Sequence, residues 1–162
     1  MANKHLETYL NDHLAGAYSA VELMDSFEAT YTGKAVGHFF ADLRADVIAD
    51  RQELEALMER LNIAKSRSRK VAGWLAEQVT ELKLRMDDPA SGALRLLEGL
   101  ELLGAGIHGK QALWLALEAA STEVPELQGM DYERLKQRAE DQRNRVEVVR
   151  QEAAKVAFSA PS

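Results

Sequence analysis

Apolar residues recur every three or four positions in four long segments of the chain, and this is the period of an amphipathic α-helix. The first two stripes contain Leu6, Leu10, Ala17, Ala20, Met24 and Phe27, then Phe40, Leu43, Val47, Leu54, Leu57 and Leu61. The last two contain Leu96, Leu100, Leu103, Ile107, Trp114 and Leu117, then Tyr132, Leu135, Ala139, Val146, Val149, Ala153 and Val156. No segment alternates with the period of a β-strand over more than a few residues. We therefore predict an all-α protein with four long helices.

Polar residues interrupt these stripes near their middles. His13 lies in the first stripe, Asp50 in the second, Lys110 in the third and Gln142 in the fourth. Because the apolar faces of a bundle meet in its core, we predict a buried polar layer at mid-height, where helical bundles place metals and cofactors. An unpaired buried polar group costs about 1–3 kcal/mol, so these side chains are expected to bond to one another. Lys110 is predicted to be either an internal cation or an edge residue whose ammonium reaches solvent.

Turn residues divide the chain into predicted elements. A first helix is expected over 3–29 with Asn3 as its N-cap, a second over 35–61, a short one over 71–85, a third long one from 89 or 90 to 121, and a last one after Asp131 up to 158. The proline at 89 favours a helix end just before it. These bounds predict two helical hairpins joined by a long crossover, about 62–90, that contains the short helix. The whole chain, 1–162, is expected to form a single domain.

Four segments resemble the ferritin-like superfamily, and in particular a group of uncharacterised bacterial ferritin-like proteins. They read YLNDHLAGA at 9–17, DRQELEAL at 50–57, GKQALW at 109–114 and AEDQ at 139–142. The resemblance spans nearly the whole chain but contains no diagnostic motif. It implies a four-helix bundle in which two helices each supply a Glu, and the other two a Glu-x-x-His pair, to a di-metal site.

The metal motif of that superfamily is missing. The residues three positions before the four histidines are Ala2, Leu10, Ala35 and Ala105, and none is acidic. The corresponding positions read Asp50-x-x-Glu53 and Glu140-x-x-Arg143, so an arginine would bring positive charge to a ligand position. We therefore expect no cofactor. The alternative is a divergent site for iron or manganese that would draw its ligands from Glu22, Asp50, Glu53, Glu101, His108 and Glu140.

The third long helix contains Gly99, Gly104, Gly106 and Gly109. Each costs up to about 1 kcal/mol relative to alanine inside a helix, so their presence needs a physical reason. Close packing of helices is the favoured reason. The alternative is a small apolar pocket bordered by Trp114.

Composition narrows the classes of function. The chain has no cysteine, which excludes disulfides, thiolate metal sites and cysteine nucleophiles. Its 26 acidic and 20 basic residues give a net charge of −6, which argues against a nucleic-acid partner. The basic stretch 60–70 is predicted to be a solvated loop. The most apolar stretch, 93–107, contains charged residues and is too short for a membrane span, so we expect a cytoplasmic protein without membrane contact.

The chain also contains no phosphate-binding loop, no dinucleotide-binding glycine motif and no nucleophile elbow. The favoured hypothesis is a non-catalytic ferritin-like bundle, a structural or interaction module that forms a homodimer. A divergent di-metal oxidase or iron-handling protein is the second hypothesis. A small-molecule binder that uses the glycine-rich third helix is the third.

Overall fold

The computed structural model describes residues 3–66, 74–84 and 92–159. Within these ranges the chain forms α1 (Lys4–Thr30), α2 (Ala35–Arg60), α3 (Trp74–Leu84), α4 (Gly92–Ala120) and α5 (Tyr132–Ser159), with a short 3-10 helix at Pro125–Leu127. No β-strand is present in them. The prediction of an all-α protein is therefore confirmed. No helix in the described ranges is both long enough and apolar enough to cross a membrane.

Side-chain caps and glycine turns set the helix ends. The Asn3 side chain accepts a hydrogen bond from the His5 backbone N–H at 2.8 Å, and Asp131 accepts one from the Arg134 N–H at 3.1 Å. Gly33, at φ +78°, makes the turn between α1 and α2, where a side chain would be strained. These caps confirm the predicted starts of the first and last helices. The predicted starts of the short helix at 71 and of the third long helix at 89 or 90 lie outside the described residues.

Two hairpins pack against each other: α1 contacts α2, α4 contacts α5, and the pairs meet through α1 with α4 and α2 with α5. One apolar cluster joins the end of α1 at Phe27, the start of α2 at Phe40, the start of α4 at Leu100 and the later part of α5 at Val146. The other cluster joins the opposite ends of the same helices. Consequently α2 and α4 run in one direction, and α1 and α5 run in the other. Helix α3 packs against α1 and α4.

Candidate functional site

Asp50, Lys110 and Gln142 meet between the two apolar clusters. The Lys110 ammonium donates to Asp50 Oδ2 at 2.6 Å and also to Gln142 Oε1, and Gln142 Nε2 donates to Asp50 Oδ2 at 2.7 Å. Asp50 and Gln142 are each only 2% exposed. Burial lowers the pKa of Lys110, and the Asp50 carboxylate opposes that shift. Of the two predictions for Lys110, the geometry corresponds to the internal cation.

Arg138 completes this group, although sequence reasoning missed it. One of its terminal nitrogens lies 3.0 Å from Asp50 Oδ1. That oxygen has no aligned hydrogen bond among the described residues, so the contact is ionic rather than directional. Arg138 precedes Gln142 by four positions and therefore lies on the same face of the helix. This spacing could have identified Arg138 from the sequence. We call Asp50, Lys110, Arg138 and Gln142 the Asp50 layer.

The Arg138 contact belongs to a row of ion pairs between α2 and α5. Asp46 pairs with Arg145, Asp50 with Arg138, and Glu53 with Arg134 at 2.8 Å. Along α2 the three acids are separated by four and then three residues, and along α5 the three arginines are separated by four and then seven. Each set therefore lies on one face of its helix. The pairing runs in opposite directions along the two helices, as expected for antiparallel helices. The outer pairs are partly exposed and contribute little to stability. In the central pair the Asp50 side chain is buried. Breaking a buried ion pair costs more stability than breaking an exposed one.

His13 lies apart from the Asp50 layer. It is half-buried, and its ring packs edge-on against Tyr9 with the ring centroids 4.7 Å apart. No hydrogen bond joins it to Asp50, Lys110 or Gln142. Burial lowers the pKa of His13, opposed by the nearby Asp12, and this favours a neutral imidazole at neutral pH. The structure thus brings three of the four predicted layer residues together.

The alternative metal ligands are dispersed and are engaged elsewhere or exposed. Glu22 pairs with Lys83 at 3.2 Å, Glu53 with Arg134, and Glu101 with Arg150 at 3.3 Å. His108 and Glu140 are exposed. Across residues 3–66, 74–84 and 92–159, no three His, Asp or Glu side chains come close enough together to hold a metal ion. The six predicted ligands therefore do not form one site.

The structure describes residues 60–66 of the basic stretch that was predicted to be a loop. Lys65 pairs with Glu59 at 2.6 Å, and Arg60 donates to the Glu126 carbonyl at 3.2 Å. Residues 67–70 of that stretch lie outside the described residues. The two described cations are therefore engaged with groups of the chain itself.

A cavity of about 380 Å³ lies beside the Asp50 layer, between α1, α2 and α4, and Val79 of α3 also lines it. Its lining is mainly apolar, and Asp50 and Lys110 form part of its wall. Asp12 and Ala105 also line it and are exposed, so the cavity reaches the surface between α1 and α4. His13 faces this cavity.

Three glycines border this space. A Cβ atom added at Gly16, Gly106 or Gly109 would meet nothing within 4 Å, and all three glycines line the cavity. Gly99 is different, because its Cβ would lie 2.3 Å from Cε2 of Phe27. Both explanations considered for the glycines of this helix therefore apply, each at different positions. Gly99 permits close packing, whereas Gly106 and Gly109 leave room.

Two side chains that line the cavity carry N–H donors without an aligned acceptor. Trp114 is 1% exposed, and its indole Nε1 has no hydrogen-bond partner in the described structure. The buried Nε of Arg51 also lacks one; it lies 3.6 Å from Glu55 Oε1, while the guanidinium stacks over Tyr18. Tryptophan and arginine side chains can only donate. Two of the residues that line the cavity therefore carry buried N–H groups without an aligned acceptor among the described residues.

Comparisons with protein-family models, curated proteins and solved structures gave no match to this chain. The proposed function therefore rests on the geometry of the cavity and of the Asp50 layer.

Proposed function

We propose that this protein is a non-catalytic, ferritin-like helical bundle that binds a small, largely apolar molecule in the cavity between α1, α2 and α4. The cavity itself carries this proposal. Its volume of about 380 Å³ lies in the range of small-molecule sites, as does its mainly apolar lining with a few polar groups.

In this proposal the Asp50 layer is a structural wall of the site. Lys110 and Arg138 surround the Asp50 carboxylate, so positive charge stands where a di-metal bundle would need ligands. This arrangement favours a structural layer over the iron or manganese alternative. Support for the ferritin-like topology comes from the helix directions, since α2 and α4 run the same way with α3 between them in the chain.

Binding of a neutral apolar probe tests the proposal. Octan-1-ol titrated into the protein should give saturable binding by calorimetry and raise the unfolding temperature. The variant Gly106→Leu should abolish both effects, because the new side chain would occupy the open space at this position. Its fold can be checked by circular dichroism.

The matched control is Ala112→Leu, which adds the same bulk to an exposed position of α4 that does not line the cavity. This variant should bind octan-1-ol like the parent protein. Absence of saturable binding in the parent, or equal binding by Gly106→Leu, would contradict the proposal.

Metal content separates the proposal from the di-metal alternative. Purified protein should contain no stoichiometric iron or manganese after supplementation of the growth medium. Stoichiometric metal that disappears in Asp50→Ala and in Glu101→Ala would overturn the non-catalytic assignment.

We further propose a homodimer located in the cytoplasm. The exposed Val148 and Val156, eight positions apart on α5 and hence on one face, support association through a helix face. Light scattering after size-exclusion chromatography should give twice the chain mass, and Val156→Lys should shift it toward the monomer.

A further inference from the structure

Three residues that line the cavity carry N–H groups without an aligned acceptor among the described residues. Trp114 Nε1–H and Arg51 Nε–H lack an aligned acceptor in the described parts of the chain. The Lys110 ammonium has three N–H groups and bonds to two acceptors, Asp50 and Gln142. A ligand that fits this wall therefore brings acceptor atoms.

The charges of the Asp50 layer point the same way. One buried carboxylate, Asp50, lies within ion-pair distance of two cations, Lys110 at 2.6 Å and Arg138 at 3.0 Å. The layer therefore carries an excess positive charge next to the cavity, on the side where Lys110 forms the wall. Buried charge is tolerated when it is paired, and an anionic group in the cavity would supply the missing counter-charge.

The same contacts disfavour a cationic group next to the Asp50 layer, whereas the Asp12 carboxylate lines the exposed part of the cavity. Asp50 Oδ2 already accepts bonds from Lys110 and Gln142, and Oδ1 faces Arg138. Gln142 Oε1 accepts from Lys110. An amine entering the cavity would therefore meet positive charge and no free acceptor in the layer.

We propose that the ligand of this cavity is a small monocarboxylate with an apolar body, whose carboxylate accepts hydrogen bonds from Lys110 and Trp114. The apolar body would lie against the open surface at Gly16, Gly106 and Gly109, where the walls carry no side chains. This inference rests on the proposed function, that is, on small-molecule binding in the same cavity.

Three probes with the same alkyl tail test the inference: octanoate, octan-1-ol and octylammonium. Octanoate should bind at least about tenfold more tightly than octan-1-ol, because charge-assisted hydrogen bonds are stronger than neutral ones. Octylammonium should bind most weakly. In Lys110→Met, the affinity for octanoate should fall at least about tenfold, and the preference for octanoate over octan-1-ol should disappear.

A second measurement keeps the test independent of how Lys110→Met folds. In a proton–nitrogen NMR correlation spectrum, octanoate should move the indole N–H signal of Trp114 downfield as its donor gains an acceptor. The variant Trp74→Phe assigns the two indole signals. An unmoved Trp114 signal in the presence of saturating octanoate would overturn the proposed contact.

The outcomes distinguish the two levels of the proposal. If octan-1-ol or octylammonium binds as tightly as octanoate, the carboxylate inference fails while small-molecule binding stands. If none of the three binds, the proposed function itself fails. A concentration-dependent dimer that Gly106→Leu abolishes, with no probe binding, would assign the cavity to a second copy of the chain instead.

Discussion

The two sides of Asp50 differ in how completely the interior is filled. Toward α5, Gln142 and Arg138 reach the carboxylate, and Lys110 from α4 closes the group. Toward α1, small residues leave a cavity of about 380 Å³, and the indole N–H of Trp114 has no acceptor among the described residues. Both sides belong to the same polar level of the bundle.

This contrast indicates that the side toward α5 stabilises the fold, whereas the side toward α1 retains a cavity. Buried polar groups are normally paired, and a group left unpaired in a native structure calls for an explanation. On the filled side, side chains of the protein supply the partners. On the open side, we infer that a ligand supplies them. Variants on the two sides test this contrast.

The largest effect is expected when the filled side loses its carboxylate. Asp50→Leu leaves Lys110 and Arg138 without their shared counter-ion and should lower the free energy of unfolding by about 3–5 kcal/mol. Urea unfolding measures this change. In the double variant Asp50→Leu/Lys110→Met, much of the loss should be recovered, because the buried ammonium is removed as well.

Asp46→Leu is the control for that variant, since it removes a partly exposed acid of the same row of ion pairs. It should cost no more than about 1 kcal/mol. An Asp50→Leu protein as stable as the parent would show that the layer is not needed for folding, and a functional role for Asp50 would then gain support.

Replacing either of two glycines of α4 by alanine should change the free energy of unfolding, but in opposite directions. Gly99→Ala forces a methyl group against the Phe27 ring, so we expect a loss of about 1–3 kcal/mol from overpacking. Gly109→Ala places its methyl group in open space and should stabilise the protein by up to about 1 kcal/mol through helix propensity. Unfolding curves of the two variants against the parent test the pair. A destabilised Gly109→Ala would mean that the cavity wall is closer than the structure indicates.

The smallest expected effect concerns His13 on the open side. Burial lowers its pKa in the folded protein below the ordinary 6.5. Between the folded and the ordinary pKa, the unfolded chain binds more protons, so acidification through this window favours unfolding. The parent should therefore lose more stability than His13→Gln when the pH falls from about 7 to about 5. Parallel urea titrations at both pH values measure the difference, and equal losses would contradict the assigned shift.

Much of the fold follows from local patterns. The period of the apolar stripes and the caps at Asn3 and Asp131 predict α1 and α5 within a residue or two, since caps and periodicity act over short stretches of chain. The meeting of Asp50, Lys110 and Gln142 was also predictable, because each interrupts the apolar face of its own helix. The ferritin-like relationship, the homodimer and the function stay predictions.

Other features depend on distances between helices, which periodicity does not encode. Arg138 joins Asp50, and His13 does not, because rotation and spacing of neighbouring helices decide which side chains can reach one another. The same reason separates Gly99, which Phe27 covers, from Gly106 and Gly109, which face open space. The sequence by itself determined the helices and the polar level at which their faces are interrupted. Only the tertiary structure decided which side of that level is filled by ion pairs and which side keeps a cavity.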